Sequence, residues 1–396
     1  MLECAARVIG VHTTTSTAAV KSDIALRPRA ERLVSLDVFR GFVIAFMILV
    51  NDPGDGPSSY WPLKHAEWNG WTPTDLVFPS FLFIVGVAMA FSFPSRISAG
   101  QTRSTLLKHA VWRGIVLFGV GLLLNGLGAR YDFDHWRVYG VLQRIAICYV
   151  ITAALELWTG WRAQIAVAIS CLAAYWILIR YVPVPGFGVP THDIPLLDPN
   201  RNLVAWLDRK LLMGHLYEGT RDPEGLISTV PAIATSLLGL LTGKWLRTQY
   251  ATRVKTLGMI GAGMAAIIVG KVMDVWFPIN KKLWTSSYVV FVAGIGLICL
   301  AFCYWIVDVR RHRGWTWPVL VFGTNAIAAY IFSETLAIGL YGLSVGGNTL
   351  MGHIYASVFA PLATSANASL LYALAYVSLC WIVMAGLYRK GIFLKI

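Results

Sequence analysis

Charged residues are scarce in this chain, and this scarcity indicates its class. Only 13% of the 396 residues are Asp, Glu, Lys or Arg, whereas 57% are hydrophobic, and the mean hydropathy is +0.62. No polar stretch is long enough to build a soluble core of its own. The composition therefore indicates an integral membrane protein and argues against a soluble globular one.

Cysteine is also sparse, with six residues in the chain. Five of them fall inside predicted membrane spans, where cysteine behaves as a small apolar residue, and Cys4 lies near the amino terminus. Their spacing predicts neither a disulfide framework nor a zinc site. The sequence also lacks a nucleophile elbow, a P-loop, the apolar core of a signal peptide and the internal repeat of a solenoid. Targeting is therefore expected to depend on the first membrane span.

The sequence contains many long apolar runs. A helix needs about 20 apolar residues to cross a hydrocarbon core of roughly 30 Å. Such runs predict an all-α, polytopic transmembrane helix bundle of about ten spans: 34–51, 74–93, 106–124, 138–157, 163–182, 226–246, 256–277, 286–306, 317–340 and 367–388. We predict a single membrane domain over residues 32–396, with an outer loop at 181–225, and a disordered tail over residues 1–31.

The net charge of +13 is unevenly distributed over this predicted topology. With the amino terminus in the cytoplasm, Lys and Arg are about twice as frequent in the inner segments as in the outer ones. This is the positive-inside pattern of a protein with both termini in the cytoplasm. The basic excess therefore orients the protein in a membrane and does not indicate a nucleic-acid partner.

Polar residues gather at the predicted outer ends of the helices. The richest segment is 60–83, YWPLKHAEWNGWTPTDLVFPSFLF, and the other polar segments are Asn51-Asp52, 131–144, 221–225 and 278–288. Aromatic and cationic residues are ordinary at any membrane interface, so an interfacial belt is one interpretation. Because Asp and Asn are not belt residues, we predict instead a shared pocket that faces outward.

His65 is the main candidate for chemistry in the richest segment, because an imidazole exchanges protons near neutral pH. It precedes the next helix and has no capping function, so it is either an interfacial residue or a catalytic base. Thr72-Pro73-Thr74-Asp75 is typical of a helix start closed by a capping box. Asp75 is therefore either a cap or the partner that fixes the tautomer of His65.

Charged residues inside membrane spans are energetically expensive and are usually paired or functional. The three-residue spacing of Lys271 with Asp274, and of Asp37 with Arg40, predicts two ion pairs. The other such residues are Arg113, Arg144 and Glu334. They either line a path through the bundle or join neighbouring helices.

Six stretches spread along the chain have a recognisable pattern. They are RLVSLDVFRG (32–41), Val50-Asn51, YWPLKHAEWNGWTPTDLVFPSFLFIVG (60–86), RDPEGLISTVPAIATSLLG (221–239), NKKLWTSSYV (280–289) and GTNAIAAY (323–330). In this order they resemble the heparan-α-glucosaminide N-acetyltransferase family and its bacterial relatives. The resemblance implies a multi-helix membrane enzyme that takes acetyl-CoA from the cytosol and acetylates the amino group of a terminal glucosamine on the far side.

The resemblance also implies site residues. It places the family's active-site histidine at His65 and its catalytic asparagine at Asn51. The residues that we expect to support them are Asp75, Lys64, Trp68 and Asn69. The residues that we expect to bind the acceptor are Arg144, Asp222, Glu224, Asn280, Lys281 and Trp284, and those that we expect to meet the CoA phosphates are Arg40 and Arg113. No metal is expected.

Two departures bear on the substrate. The large domain between the first two spans of the animal enzyme is absent here, and the spacing from Asn51 to His65 is longer through DPGDGPSS. Heparan sulfate itself is therefore not the expected acceptor of this bacterial-looking chain. An enzyme that acylates lipid-linked or cell-wall glycans would differ only in its acceptor.

N-acetylation needs a base for the amine and hydrogen-bond donors for the oxyanion. We expect His65 to be the base and Asn51 to donate to the oxyanion or orient the amine; transfer through an acetyl-histidine is left open. The expected partners are acetyl-CoA, an amino-sugar or glycan acceptor and the lipid of a bacterial inner membrane, and formation of a homodimer is also left open. The alternative function is an amino-sugar or oligosaccharide permease.

Overall fold

The computed structural model describes residues 33–394, and the predicted tail at 1–31 lies outside them. The α-helices in this range are α1 (Val34–Asn51), α2 (Val77–Ser98), α3 (Arg103–Gly128), α4 (Val141–Trp158), α5 (Trp161–Tyr181), α6 (Leu203–Leu212), α7 (Thr229–Leu246), α8 (Thr252–Asp274), α9 (Ser286–Cys303), α10 (Trp317–Thr324), α11 (Ala326–Gly342), α12 (Leu350–Ile354) and α13 (Ser365–Arg389). Short 3₁₀ turns cover Trp61–Leu63, Pro73–Leu76 and Ala360–Leu362, and π-helical turns cover Tyr304–Val309 and Tyr355–Phe359. Two-residue strands, β1 (Ser344–Val345) and β2 (Asn348–Thr349), form an antiparallel pair. The predicted all-α helix bundle is confirmed.

The number of membrane spans differs slightly from the prediction. In the described range, eight helices are long and apolar enough to cross a membrane, or nine if α10 and α11 count as one bent span. The remaining predicted span, 226–246, forms α7, which is not among the eight. Four of its polar residues are buried inside the protein, namely Thr229, Thr235, Ser236 and Thr242. Because α7 packs mainly against protein, its sequence does not need the uniform apolarity of a lipid-facing helix.

The predicted span 317–340 is interrupted. α10 and α11 meet at Asn325 with an angle of 81° between them. The buried Asn325 side chain donates from Nδ2 to the carbonyl of Ile392 at 3.0 Å and accepts at Oδ1 from the amide of Leu394 at 3.1 Å. An asparagine side chain competes with helical backbone hydrogen bonds, so these contacts favour a break at this residue.

Contacts divide the chain into two compact units. Of the described residues, one unit joins 33–58 with 302–394, and the other is Ser59–Ala301. In the first unit, α1 and α10 approach so closely that a Cβ at Gly41 would overlap the carbonyl oxygen of Val319. The predicted Asp37–Arg40 ion pair also forms there, with 3.3 Å between Asp37 Oδ1 and Arg40 Nη1.

The second unit, Ser59–Ala301, is built around α2 and α7. A Cβ at Gly86 would overlap the carbonyl oxygen of Ser236, and a Cβ at Gly239 would overlap that of Phe83, so the two helix backbones are nearly in contact. The predicted pair of Lys271 with Asp274 is present as well, at 2.7 Å. This unit also carries the His65 segment and the polar loops around 137, 222 and 281, so it contains most of the predicted site.

Candidate active site

Asp75 connects the capping turn to His65. It lies in the 3₁₀ turn Pro73–Leu76 with 1% of its side chain exposed. Its Oδ2 accepts hydrogen bonds from the amides of Thr72 and Ala66, both at 3.0 Å, and the predicted capping box is present. Its Oδ1 lies 2.7 Å from His65 Nδ1. The two carboxylate oxygens therefore allow Asp75 to cap the turn and to hold the imidazole.

The contact with Asp75 determines which nitrogen of His65 carries the proton. A carboxylate only accepts hydrogen bonds, so Nδ1 is the protonated nitrogen that donates to Asp75 Oδ1. The lone pair of the neutral ring is then on Nε2. The His65 side chain is 45% exposed, so a substrate can reach it, and the arrangement is suited to a general base.

Lys281 is the second charged group beside His65. Its Nζ lies 3.2 Å from Nδ1 and 3.3 Å from Nε2 of the ring, and 3.9 Å from Asp75 Oδ1. Burial lowers the pKa of Lys281, while the negative charges of Asp75 and Glu224 oppose that shift. Lys281 Nζ therefore lies within 4 Å of both members of the His65–Asp75 pair.

The loop that carries Lys281 is held rigidly by its neighbours. Asn280 accepts from the amide of Leu283 at 2.9 Å and donates from Nδ2 to Asn69 Oδ1 at 3.2 Å, which links the loop to the His65 segment. Trp284 is fully buried and adopts a φ of 54°, in the left-handed region that only a well-packed site imposes on such a residue. Asn69, Asn280 and Trp284 therefore fix the position of Lys281.

Lys64 and Trp68 support the same segment. The Lys64 carbonyl accepts from the Thr72 hydroxyl at 2.5 Å. Trp68 donates from Nε1 to the carbonyl of Leu197 at 2.7 Å, and its ring lies 4.8 Å from the guanidinium of Arg221. These contacts attach the His65 segment to the outer loop at 181–225.

Arg144 is buried in α4 beneath this loop region, with 1% of its surface exposed. Its Nη2 donates to the carbonyl of Gly225 at 3.1 Å and to the hydroxyl of Ser228 at 2.5 Å, and its guanidinium lies 4.9 Å from the Trp284 ring. In the part of the chain that the structure describes, Nε and Nη1 have no hydrogen-bond partner. Arg144 thus joins α4 to the start of α7 and retains two unused donors.

Asp222 and Glu224 form an ion-pair cluster with Arg137. Arg137 binds Asp222 through two bonds of 2.7 and 2.8 Å and Glu224 at 2.5 Å. Although burial opposes its charge, the two carboxylates raise the pKa of Arg137. The sequence identified the polar loop 131–144 but did not single out Arg137. The two carboxylates of the RDPEG stretch, Asp222 and Glu224, need a cation as partner, and this need was the signal that could have identified Arg137.

The remaining predicted site residues are Asn51 and Arg40, in the first unit, and Arg113 in α3. Asn51 is the exposed last residue of α1 in the other unit, so its cooperation with His65 stays a prediction. Arg40 pairs with Asp37 and donates to the carbonyl of Gly323 at 3.0 Å, and Arg113 lies 5.0 Å from the Tyr149 ring. Binding of CoA phosphates by either arginine also stays a prediction. Among residues 33–394, no group of three or more His, Cys, Asp and Glu side chains is arranged to hold a metal ion.

Comparison with known proteins shows to which family the chain belongs. The model of the family described as "Heparan-alpha-glucosaminide N-acetyltransferase, catalytic" matches residues 32–277, which is more than half of the chain. The chain belongs to this family. The heparan-alpha-glucosaminide N-acetyltransferase family segment includes Asn51, His65 and Asp75, whereas Lys281 and Trp284 follow its end. The predicted resemblance is thereby confirmed.

Two curated relatives carry the same name. The heparan-alpha-glucosaminide N-acetyltransferase of Mus musculus is 31% identical over 365 residues, covering 78% of this chain and 54% of the mouse protein. That of Homo sapiens is 31% identical over 363 residues, covering 76% of this chain and 53% of the human protein. The chain spans about half the length of the curated relatives it matches.

Proposed function

We propose that the protein is a transmembrane N-acetyltransferase that moves acetyl from cytosolic acetyl-CoA to the amino group of a glucosamine-type sugar on the opposite side of the membrane. The observation that carries this proposal is the buried Asp75 carboxylate bound to Nδ1 of an accessible His65, in a chain of the N-acetyltransferase family. An inner membrane with both termini in the cytoplasm is the location that the distribution of Lys and Arg favours.

In the proposed reaction, the neutral amine of the sugar attacks the carbonyl carbon of the thioester. His65 Nε2 takes the proton that the amine loses as the new C–N bond forms, while Asp75 holds the ring through Nδ1. The tetrahedral intermediate then releases CoA by breaking the C–S bond. General-base catalysis of this kind contributes about 10²–10⁴-fold.

Asn51 is the proposed donor to the oxyanion, and one such donor contributes about 3–4 kcal/mol to transition-state stabilisation. The charged groups that support recognition of a polar acceptor lie near His65 in the second unit, where Glu224 acts electrostatically on Lys281. Arg40 and Arg113 are the proposed contacts for the CoA phosphates.

The test uses purified protein in proteoliposomes with acetyl-CoA inside and a panel of amino sugars outside. The proposal expects release of free CoA that depends on an amine-bearing sugar, together with N-acetylated product in the outer medium. N-acetylglucosamine, whose amine is already blocked, is the matched control acceptor and should support no CoA release. Uptake of labelled sugar without acetyl-CoA, and without consumption of thioester, would instead identify a permease.

The same preparation distinguishes the two routes of transfer. Direct transfer predicts no labelled protein when radiolabelled acetyl-CoA is supplied without a sugar. An acetyl-histidine route predicts acid-labile label on the protein that disappears when glucosamine is added, and it predicts that the label is absent from His65→Gln.

A further inference from the structure

Lys281 lies over the face of the His65 ring. The distances from its Nζ to Nδ1 and Nε2 are 3.2 and 3.3 Å, so the ammonium is almost equidistant from the two nitrogens. An ammonium in the plane of the ring at these distances would overlap Cε1, the carbon between them. The ammonium therefore lies above the ring plane, and it does not cover the in-plane lone pair of Nε2.

We propose that Lys281 is a positioning residue that keeps His65 in its neutral form, ready to accept a proton, an inference that rests on the proposed function. A cation above a neutral aromatic ring is attracted to the ring face, whereas the same cation beside an imidazolium is repelled. Lys281 therefore favours the neutral ring. Asp75 has the opposite effect on the ring's charge while it fixes the proton on Nδ1.

The charged groups around His65 and Lys281 come from four segments of the second unit. Asp75 contacts both His65 and Lys281, at 2.7 and 3.9 Å. Burial lowers the pKa of Lys281, and Lys282 and Arg144 act in the same direction, whereas Asp75 and Glu224 favour its ammonium form. Only 18% of the Lys281 side chain is exposed, so its charge is partly shielded from solvent and its effect on His65 is stronger than that of a surface lysine.

The position of Lys281 also affects the second proton transfer. After the amine attacks, His65 carries the amine proton on Nε2 as an imidazolium. This proton passes to the thiolate sulfur of CoA as the C–S bond breaks, which restores the neutral ring and leaves CoA as a thiol. Repulsion between the Lys281 ammonium and the imidazolium favours release of this proton to the sulfur.

The first test is the pH dependence of acetyl transfer by Lys281→Met. Without the cation, the imidazolium is stabilised, so the acid limb of the pH–rate profile should move upward by roughly one pH unit. Lys281→Arg keeps the positive charge and should keep the wild-type acid limb. Lys210→Met is the matched control, since it removes an exposed lysine of α6 that does not contact His65 or Lys281; it should leave the limb unchanged.

The second test reads the charge of His65 without any acetyl transfer. Diethyl pyrocarbonate acylates neutral imidazole, and mass spectrometry of the peptide that contains His65 gives the extent of modification at each pH. Lys281→Met should require a higher pH for modification than the wild type or Lys210→Met. Identical pH dependence in all three proteins would overturn the inference. If Lys281→Met shifts the pH dependence of modification but the wild type transfers no acetyl group, the effect of Lys281 on the charge of His65 is supported and the proposed function is refuted.

Discussion

The two oxygens of Asp75 have different partners, and this division predicts the effect of a single-atom change. In Asp75→Asn, the backbone amides of Thr72 and Ala66 still require an acceptor, so the side-chain amide oxygen takes the place of Oδ2. The NH₂ group then faces His65. An NH₂ group cannot accept from Nδ1–H, so the ring is driven to the wrong tautomer. We expect kcat for acetyl transfer to fall about 10²–10⁴-fold in a protein that still folds.

The control for this change is Asp132→Asn. Asp132 holds an exposed His135 at 2.8 Å, in the same kind of carboxylate–imidazole contact but outside the candidate site. Its activity should stay within about twofold of wild type, since surface substitutions have small effects. Steady-state rates of CoA release measure both variants, and equal losses of activity would contradict the function assigned to Asp75.

Asp208 gives a prediction about pH and stability. It is fully buried, its Oδ2 has no hydrogen-bond partner among the described residues, and burial raises its pKa from 3.8 to about 7. Between these pH values the native state holds a proton that the unfolded chain releases. The stabilisation due to this group is therefore complete below about pH 4 and is lost as the pH rises through 7.

Asp208→Asn removes this titration. We expect its Tm in detergent to exceed that of the wild type by roughly 2–4 °C at pH 8, where the wild type carries an unpaired buried charge, and the gain to shrink at pH 5. Thermal unfolding of both proteins at the two pH values is the measurement. A difference in Tm that is the same at pH 5 and pH 8 would show that Asp208 does not titrate in this range.

At the scale of the helices, the contact between α2 and α7 depends on glycine. A Cβ at Gly239 would overlap the carbonyl of Phe83, whereas a Cβ at Gly261 in α8 would meet nothing within 4 Å. Gly239→Ala should therefore reduce the free energy of unfolding by about 1–3 kcal/mol through overpacking. Gly261→Ala should be neutral or stabilising by up to about 1 kcal/mol.

Unfolding in a denaturing detergent titration compares the two glycine variants directly. The expected order of stability is Gly261→Ala at or above wild type, with Gly239→Ala below it. If both variants match the wild type, α2 and α7 separate easily, and their close approach does not contribute to stability.

The helices show what apolar runs predict well and what they miss. Span positions followed from hydropathy because lipid-facing surfaces must be apolar. The break at Asn325 did not, because it depends on hydrogen bonds to Ile392 and Leu394, which are distant in sequence. Thr72 and Asp75 were recognisable from their local spacing, whereas Arg137 and Lys281 acquire their partners only through tertiary folding.

At the scale of the whole molecule, the positive-inside distribution predicts an even number of crossings. Among residues 33–394, the eight apolar helices and the bent α10–α11 pair account for nine crossings, so this prediction requires α7 to be the tenth. In a protein without native cysteines, His192→Cys in the loop at 181–225 should react with a membrane-impermeant maleimide in intact cells. Lys390→Cys, after α13, should react only after permeabilisation. Labelling of both sites from outside would show that this topology is wrong.

The central claim is that His65 is the base for acetyl transfer to an amino sugar. The most direct measurement is the formation of N-acetylglucosamine from glucosamine and acetyl-CoA by purified wild type and His65→Ala, with matched folding confirmed by thermal unfolding. We predict product from the wild type and a rate at least 10²-fold lower from the variant. Full activity of a folded His65→Ala protein would contradict the account.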